Sequence, residues 1–219
     1  MDKFLIHGLS VPYQFPCNTP ILPVVKPNGK YQMVQDLRAV NDTVVPIHPL
    51  VVNPYNIVQV PGDAKWFTVL DLKDAFFCIP VHPSSQYLFA FKWTNPYLGQ
   101  MQQYTWTVLP QGFRDSPHLF TQALGKELRE IHLKEGTILQ YVDDMLICIP
   151  IMEASDQNTI EVLNSLGTRG YRVSQKKAQI SKQQVKYLGY IINPGSRQLS
   201  PERKQAILGL SAPKTKKHL

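Results

Sequence analysis

Apolar residues in this chain fall in short runs separated by polar or proline-rich stretches, a pattern of strands with helices between them. Ile21-Leu22-Pro23-Val24-Val25 and Tyr31 to Gln35 flank a turn at Asn28-Gly29 and predict a projecting hairpin. Asp36 caps a short helical turn through Asn41, after which Pro46, Pro49 and Pro54 force an extended crossing. Trp66-Phe67-Thr68-Val69-Leu70 reads as a buried strand running into Asp71. Asp74-Ala75-Phe76-Phe77 follows as an extended segment with its two phenylalanines on opposite faces. Leu88 to Phe91 and Tyr104 to Val108 predict two more strands, antiparallel across the loop Thr94 to Gln102, in a sheet of at least four. The strongest helix is capped by Ser116, has Pro117 in its first turn, carries Leu119, Phe120, Ala123, Leu124, Leu128 and Ile131 at helical spacing, and is expected to lie on the sheet. A second helix runs from about Ala154 to Leu166 with Ile160, Leu163 and Leu166 on one face, ending at Gly167 and Gly170. Late strands at Tyr171 to Val173 and Val185 to Ile192, and a helix from Pro201 to Leu210, complete an α+β pattern with helices on one face of a largely antiparallel sheet.

Between the two central helices lies Gln140-Tyr141-Val142-Asp143-Asp144-Met145-Leu146-Ile147, which sets adjacent carboxylates between two strand-like runs, at or near a hairpin turn. An isolated Asp-Asp is ordinary turn chemistry. Here the flanking apolar surface makes uncompensated ionisation costly, and a divalent cation is one natural compensation. Asp71 adds a third carboxylate at a second strand end. If the two strands are neighbours, the three converge and can hold two magnesium ions, the arrangement of metal-dependent polymerases and nucleases. The oxygen donors, with no histidine close in sequence, favour magnesium over zinc.

Composition narrows the picture modestly. The 219 residues carry a net charge of +7, which suggests a polyanionic partner. Cys17, Cys78 and Cys148 are odd in number and far apart, against a disulfide framework or zinc site and in favour of a reducing compartment. No apolar run has the length of a membrane span or a signal-peptide core, so an intracellular location without a membrane partner is expected. Both ends look cut, so a piece of a longer protein is expected.

Four stretches then stand in register with one family. Leu70-Asp71-Leu72-Lys73-Asp74-Ala75-Phe76-Phe77, Leu109-Pro110-Gln111-Gly112-Phe113, Gln140-Tyr141-Val142-Asp143-Asp144 and Lys186-Tyr187-Leu188-Gly189-Tyr190 closely resemble retroviral reverse transcriptases, in particular the gammaretrovirus-like Pol of endogenous retroviruses. The resemblance implies a right-hand polymerase palm with partial fingers. Residues 1–65 would be partial fingers, and 66–219 a palm-centred domain with fingers strands inserted at about 85–110, ending at the start of the thumb. Thumb, connection and ribonuclease H regions are absent and expected in the remainder of Pol.

The implied activity is RNA-directed DNA polymerisation, using an RNA or DNA template with primer, deoxynucleoside triphosphates and two Mg2+ ions, with Mn2+ as a substitute. Asp71, Asp143 and Asp144 match the metal-binding triad, and Lys177 a lysine that donates a proton to pyrophosphate. Lys26 matches a lysine on the triphosphate, Asp74 and Ala75 positions around triphosphate and sugar, Phe76 the bulky residue that excludes a ribose 2′-hydroxyl, and Gln111 a nucleotide contact. Tyr187, Leu188, Gly189 and Tyr190 match the primer grip, with Lys182 and Lys186 nearby for salt-sensitive backbone contacts. The location implied is cytoplasmic or virion-associated.

At Gln32 the chain departs from the family, which usually has an arginine clamping the triphosphate there. Glutamine supplies neither charge nor a bidentate fork, weakening a contact worth about 1.5–3 kcal/mol; Lys30 is a partial substitute. A catalytically impaired endogenous-retrovirus remnant that at most binds nucleic acid is therefore the alternative, and a nuclease using the same carboxylates a third reading.

Overall fold

The computed structural model describes residues 1–26, 29, 31–47 and 59–210. In chain order its elements are α1 (Asp2–Ile6), β1 (Ser10–Pro12), β2 (Ile21–Val25), β3 (Tyr31–Gln35), α2 (Arg38–Thr43) and β4 (Trp66–Asp71). Two 3-10 turns (Ala75–Cys78 and Pro83–Phe89), β5 (Phe91–Thr94), β6 (Met101–Trp106) and α3 (Ser116–Leu128) follow. The remainder is β7 (Thr137–Tyr141), β8 (Asp144–Ile149), α4 (Met152–Thr168), β9 (Gln179–Lys182), β10 (Val185–Tyr187), β11 (Tyr190–Asn193), β12 (Ser196–Leu199) and α5 (Pro201–Leu208). Strand pairing within every sheet is antiparallel, as the α+β pattern predicts. Among the described residues no helix is long and apolar enough to cross a membrane.

The chain divides into two compact units. One draws on Met1–Val51, Lys73–Arg129 and Gly170–Arg172, the other on Val52–Leu72, Glu130–Arg169 and Val173–Leu219. The second unit is built on a four-stranded sheet of order β7-β8-β4-β9. Its central strands β4 and β8 bury every residue between Phe67 and Leu70 and between Met145 and Ile149, the continuous apolar pattern of strands covered on both faces. On one face Phe67, Val69, Leu146 and Cys148 pack with Val185, Tyr187, Tyr190 and Ile192 of the β10-β11-β12 sheet. Each large side chain so buried contributes about 1.5–3 kcal/mol. Helix α4 packs on β4, β8 and β9.

The buried face of α4 differs from the expected one. Ile160 is 58% exposed, while Ser155, Asn158, Thr159, Val162 and Leu166 are buried. Hydrogen bonds set the helix rotation: Thr159 meets Thr68 at 3.0 Å and Asn158 donates to the Glu135 carbonyl at 2.7 Å. A polar inner face of this kind carries no hydrophobic period to read.

The first unit contains the sheet β1-β6-β5 and the separate hairpin β2-β3. Its core joins Leu37, Phe89, Phe91, Trp106 and Leu109. The run Leu88 to Phe91 is not a strand throughout. Pro83 opens a 3-10 turn that His82 caps by accepting from the Ser84 amide, and β5 starts only at Phe91. β5 and β6 pair with β1 rather than with the β4 sheet, and among the described residues the strands form four sheets instead of the expected one. Ala75–Cys78 is likewise a 3-10 turn, not an extended segment, and both phenylalanines are half-buried. Phe76 meets Phe120 edge-on at 5.9 Å, and Phe77 stacks on Trp106 at 5.4 Å.

Helix α3 begins where expected but ends before Ile131 and packs on the Ala75–Cys78 turn. Ser116 does not cap it; its buried hydroxyl donates to the Pro110 carbonyl at 3.0 Å. Asp36 is not the cap of α2 either: Leu37 holds the N-cap position, and the Asp36 carboxylate, one residue outside it, accepts from the Arg38 amide at 3.1 Å. Tyr171 to Val173 contributes only one bridge, Leu72 with Val173, and the run Val185 to Ile192 splits into β10 and β11. Asn28, Lys30, Pro49 and Pro54, which carry the predicted hairpin turn and crossing, lie outside the described residues.

Candidate functional site

Strand β4 delivers Asp71 and strand β8 begins at Asp144, and the antiparallel register sets these two residues directly opposite each other. Tyr141 pairs with Asp144 across β7 and β8, leaving Val142 and Asp143 as the two-residue loop. Val142 has φ 52°, a left-handed backbone that a β-branched residue adopts only under strain and that glycine fills in relaxed turns of this kind. Gln140 donates to the Val142 carbonyl at 3.2 Å and the Leu72 amide to the Asp143 carbonyl at 2.9 Å, holding the loop against β4. Nothing in the sequence marks Val142 as strained, since valine there reads as one more strand residue.

The local electrostatics follow from this pairing. Burial, then the charges of Asp143 and Asp71, push the Asp144 carboxyl up to about 6, with Lys177 acting the other way. Lys177 Nζ donates to Asp71 Oδ2 at 2.8 Å, and that hydrogen bond raises the lysine pKa. Among the described residues no three histidine, cysteine, aspartate or glutamate side chains close around one point. Three carboxylates against one ammonium nevertheless leave an excess of negative charge, and the donors are all oxygen, a set that fits hard cations such as magnesium.

In the same unit, the hairpin β10-β11 turns through Leu188 (φ 47°) and Gly189 (φ 77°), with Tyr187 paired to Tyr190. Tyr187 is buried, and its hydroxyl donates to the Asp144 carbonyl at 3.4 Å, tying this hairpin to the carboxylate strand. Arg203 stacks over the Tyr190 ring at 5.0 Å and donates to the Leu188 carbonyl at 3.0 Å. A Cβ on Gly189 would lie 3.1 Å from Arg203, so the tight turn and the close arginine both call for glycine. Lys186 is engaged by Glu202 at 2.8 Å.

The first unit holds a cleft of about 850 Å3 lined by Lys26, Gln32, Asp74 and Gln111 over an aromatic floor that includes Phe77 and Trp106. Gln32 donates to Gln111 Oε1 at 3.4 Å. Gly112 (φ 94°) and Asn41, which bonds the Gly112 carbonyl at 3.0 Å and the Arg114 amide at 2.8 Å, shape the Gln111 loop. Asp74 is left-handed at φ 54°. Ala75 is buried, and Ala75 and Phe76 do not line this cleft. The bracing by Asn41 was not legible in the sequence, because its partners lie far along the chain.

Residues 24–192 match the family model described as reverse transcriptase (RNA-dependent DNA polymerase). The Gag-Pol polyprotein of baboon endogenous virus (strain M7) is 50% identical over 216 residues, covering 97% of this chain and 12% of that polyprotein. The chain thus spans about an eighth of the length of that curated relative. The solved foamy viral protease-reverse transcriptase dRH in complex with ds DNA superposes with a TM-score of 0.85 at 34% identity, covering 99% of this chain and 37% of that one. The foamy viral protease-reverse transcriptase in complex with RNA/DNA hybrid gives 0.82 at 34% identity, over 99% and 28%. With most of its length inside the family model and its fold shared with solved members at that identity, the chain belongs to the reverse transcriptase family.

Proposed function

We propose that this chain is the fingers and palm portion of a retroviral Pol polymerase that adds deoxynucleotides to a primer 3′-hydroxyl on an RNA or DNA template. The observation that carries the reading is the in-register pairing of Asp71 with Asp144, with Asp143 in the adjoining turn. Asp71, Asp143 and Asp144 would hold two magnesium ions. Bound there, the ions would activate the primer hydroxyl and stabilise the leaving pyrophosphate. Lys177 carries its proton at Nζ at neutral pH and is assigned as donor to pyrophosphate. Lys26 meets the triphosphate, Gln111 and the backbone at Asp74 and Ala75 orient the nucleotide, and Phe76 excludes a ribose. The Tyr187 to Tyr190 turn, stiffened by Arg203, grips the primer terminus.

A second reading, an impaired remnant that at most binds nucleic acid, is favoured by one observation: Gln32 spends its amide on Gln111 where the family usually offers an arginine fork. Primer extension on an RNA template with magnesium separates the two, comparing the chain with Asp143→Asn and Gln32→Arg. Extension lost in the first and raised in the second supports the polymerase. Folded protein that extends nothing in any variant sinks it for this chain, and shortened primers would point to a nuclease.

A further inference from the structure

Strand β9 does not pair evenly with β4. Phe67 faces Lys182 and Val69 faces Gln179, so Ile180 and Ser181 together oppose the single residue Thr68, a β-bulge. Ser181 takes up the extra residue at φ 48°, a left-handed conformation in a non-glycine residue. The strain is held by side chains from two elements. The Ser181 amide donates to Thr68 Oγ1 at 3.0 Å, its hydroxyl donates to the Asp156 carboxylate, and it lies 3.0 Å from the Ser155 hydroxyl. Thr68 in turn meets Thr159 of α4 at 3.0 Å. Directly before β9, the turn from Ser174 to Ala178 closes on itself through the Lys177 and Ala178 amides, both donating to the Ser174 carbonyl. The Ser174 amide donates to the Asp71 carbonyl at 2.8 Å, so this turn is fastened to the strand end that bears the carboxylate.

We infer that Ser181 is a positioning residue: its bulge, pinned to Thr68, Ser155 and Asp156, sets the register by which the Ser174 to Ala178 turn brings Lys177 Nζ onto Asp71. Because side chains alternate along a strand, loss of the one-residue bulge reverses the side on which everything before Gln179 projects, and Lys177 leaves Asp71. The role assigned to Lys177 rests on the polymerase reading, but the placement of Lys177 by Ser181 is measurable without any catalysis.

The test is amine labelling of the intact chain with an acetylating reagent, read residue by residue by mass spectrometry, with the exposed Lys65 and Lys126 as internal references. Ser181→Ala removes the hydroxyl alone and keeps a Cβ at positive φ; Ser181→Gly removes the Cβ with the hydroxyl and so relieves the backbone strain. Ser181→Asn keeps a polar side chain that tolerates positive φ. Lys177 labelling should rise about two- to fivefold in Ser181→Ala, the range that the worth of an exposed ion pair converts to, and less in Ser181→Gly. Ser181→Asn should return it toward the parent rate, with Lys65 and Lys126 unchanged throughout. Lys177 labelled at the parent rate in folded Ser181→Ala and Ser181→Gly overturns the inference and leaves the Ser174 turn as the sole support. If the alanine variant does not fold, the glycine variant decides by the same readout. No primer extension by the parent chain, with Lys177 labelling raised in the variants, would count against the polymerase reading and leave the placement of Lys177 by Ser181 standing.

Discussion

At the tip of the four-stranded sheet, β4 and β8 bury every residue between their ends, whereas the hairpin β2-β3 that leads to Lys26 and bears Gln32 leaves most of its side chains in solvent. A slip by one residue would exchange the faces on which Phe67 and Leu146 pack and pull Thr68 from Thr159, so the opposition of Asp71 and Asp144 is a by-product of packing. The exposed hairpin is held to its core only near its base, by buried Gln35, which bonds Trp106 and the Phe89 carbonyl, and by Ile21 and Met33. Gln32 stands there with little effect on the fold, and its amide merely finds Gln111. The carboxylate end is therefore set by stability, and the cleft by side chains that substitution can retune.

The contrast breaks first under core truncation. Phe67→Ala should cost about 3–5 kcal/mol in denaturant titrations, because a fully buried ring leaves a cavity that the two packed sheets cannot refill. A cost under 1 kcal/mol would mean that the register of the carboxylate strands is not fixed by this core. Next in size, Asp143→Asn should lower primer extension by at least about a hundredfold while the denaturation midpoint holds, since charge is removed at the site and packing is untouched. Gln32→Arg should lower the KM for deoxynucleotides by about tenfold, the gain from a neutral to a charge-assisted hydrogen bond, with kcat nearly unchanged. An unchanged KM would remove Gln32 from the nucleotide contacts.

A pH series probes the carboxylates alone. Because the Asp144 carboxyl is raised from 3.8 to about 6, the folded chain holds that proton more tightly than the unfolded chain. The contribution of Asp144 to stability is therefore complete below pH 3.8 and is lost as pH rises through about 6. Without divalent metal, the melting temperature of Asp144→Asn should gain on the parent across that window; parallel curves would show that Asp144 is not perturbed. The smallest effect belongs to the hairpin, where Leu22→Ala, half-exposed on β2, should shift stability by no more than about 0.5 kcal/mol.

How far the sequence was readable depends on where each residue's partners lie. β4, β8, β2, β3 and α3 were legible because their apolar runs serve nearby packing, and the carboxylates because they interrupt such runs. The face of α4 was misread at Ile160, since its true inner face is held by the hydroxyls and amide of Ser155, Thr159 and Asn158. The 3-10 turn at Ala75–Cys78 and the bulge at Ser181 also escaped, because propensity does not show a left-handed Asp74 or Ser181 held by tertiary contacts. β1, β9 and β12 are too short to carry a period.

By itself, the sequence determined the family and the antiparallel α+β character and singled out Asp71, Asp143 and Asp144 as candidates, since these rest on residue type and on runs within a few positions of one another. Tertiary structure decided the rest. It divided the strands between two units, set Asp71 across from Asp144, placed the Lys177 ammonium on Asp71 at 2.8 Å, and closed Gln32 onto Gln111. Those facts depend on register and on contacts between residues some seventy to more than a hundred positions apart, and the free energy that selects them comes from burying surface that no local pattern encodes.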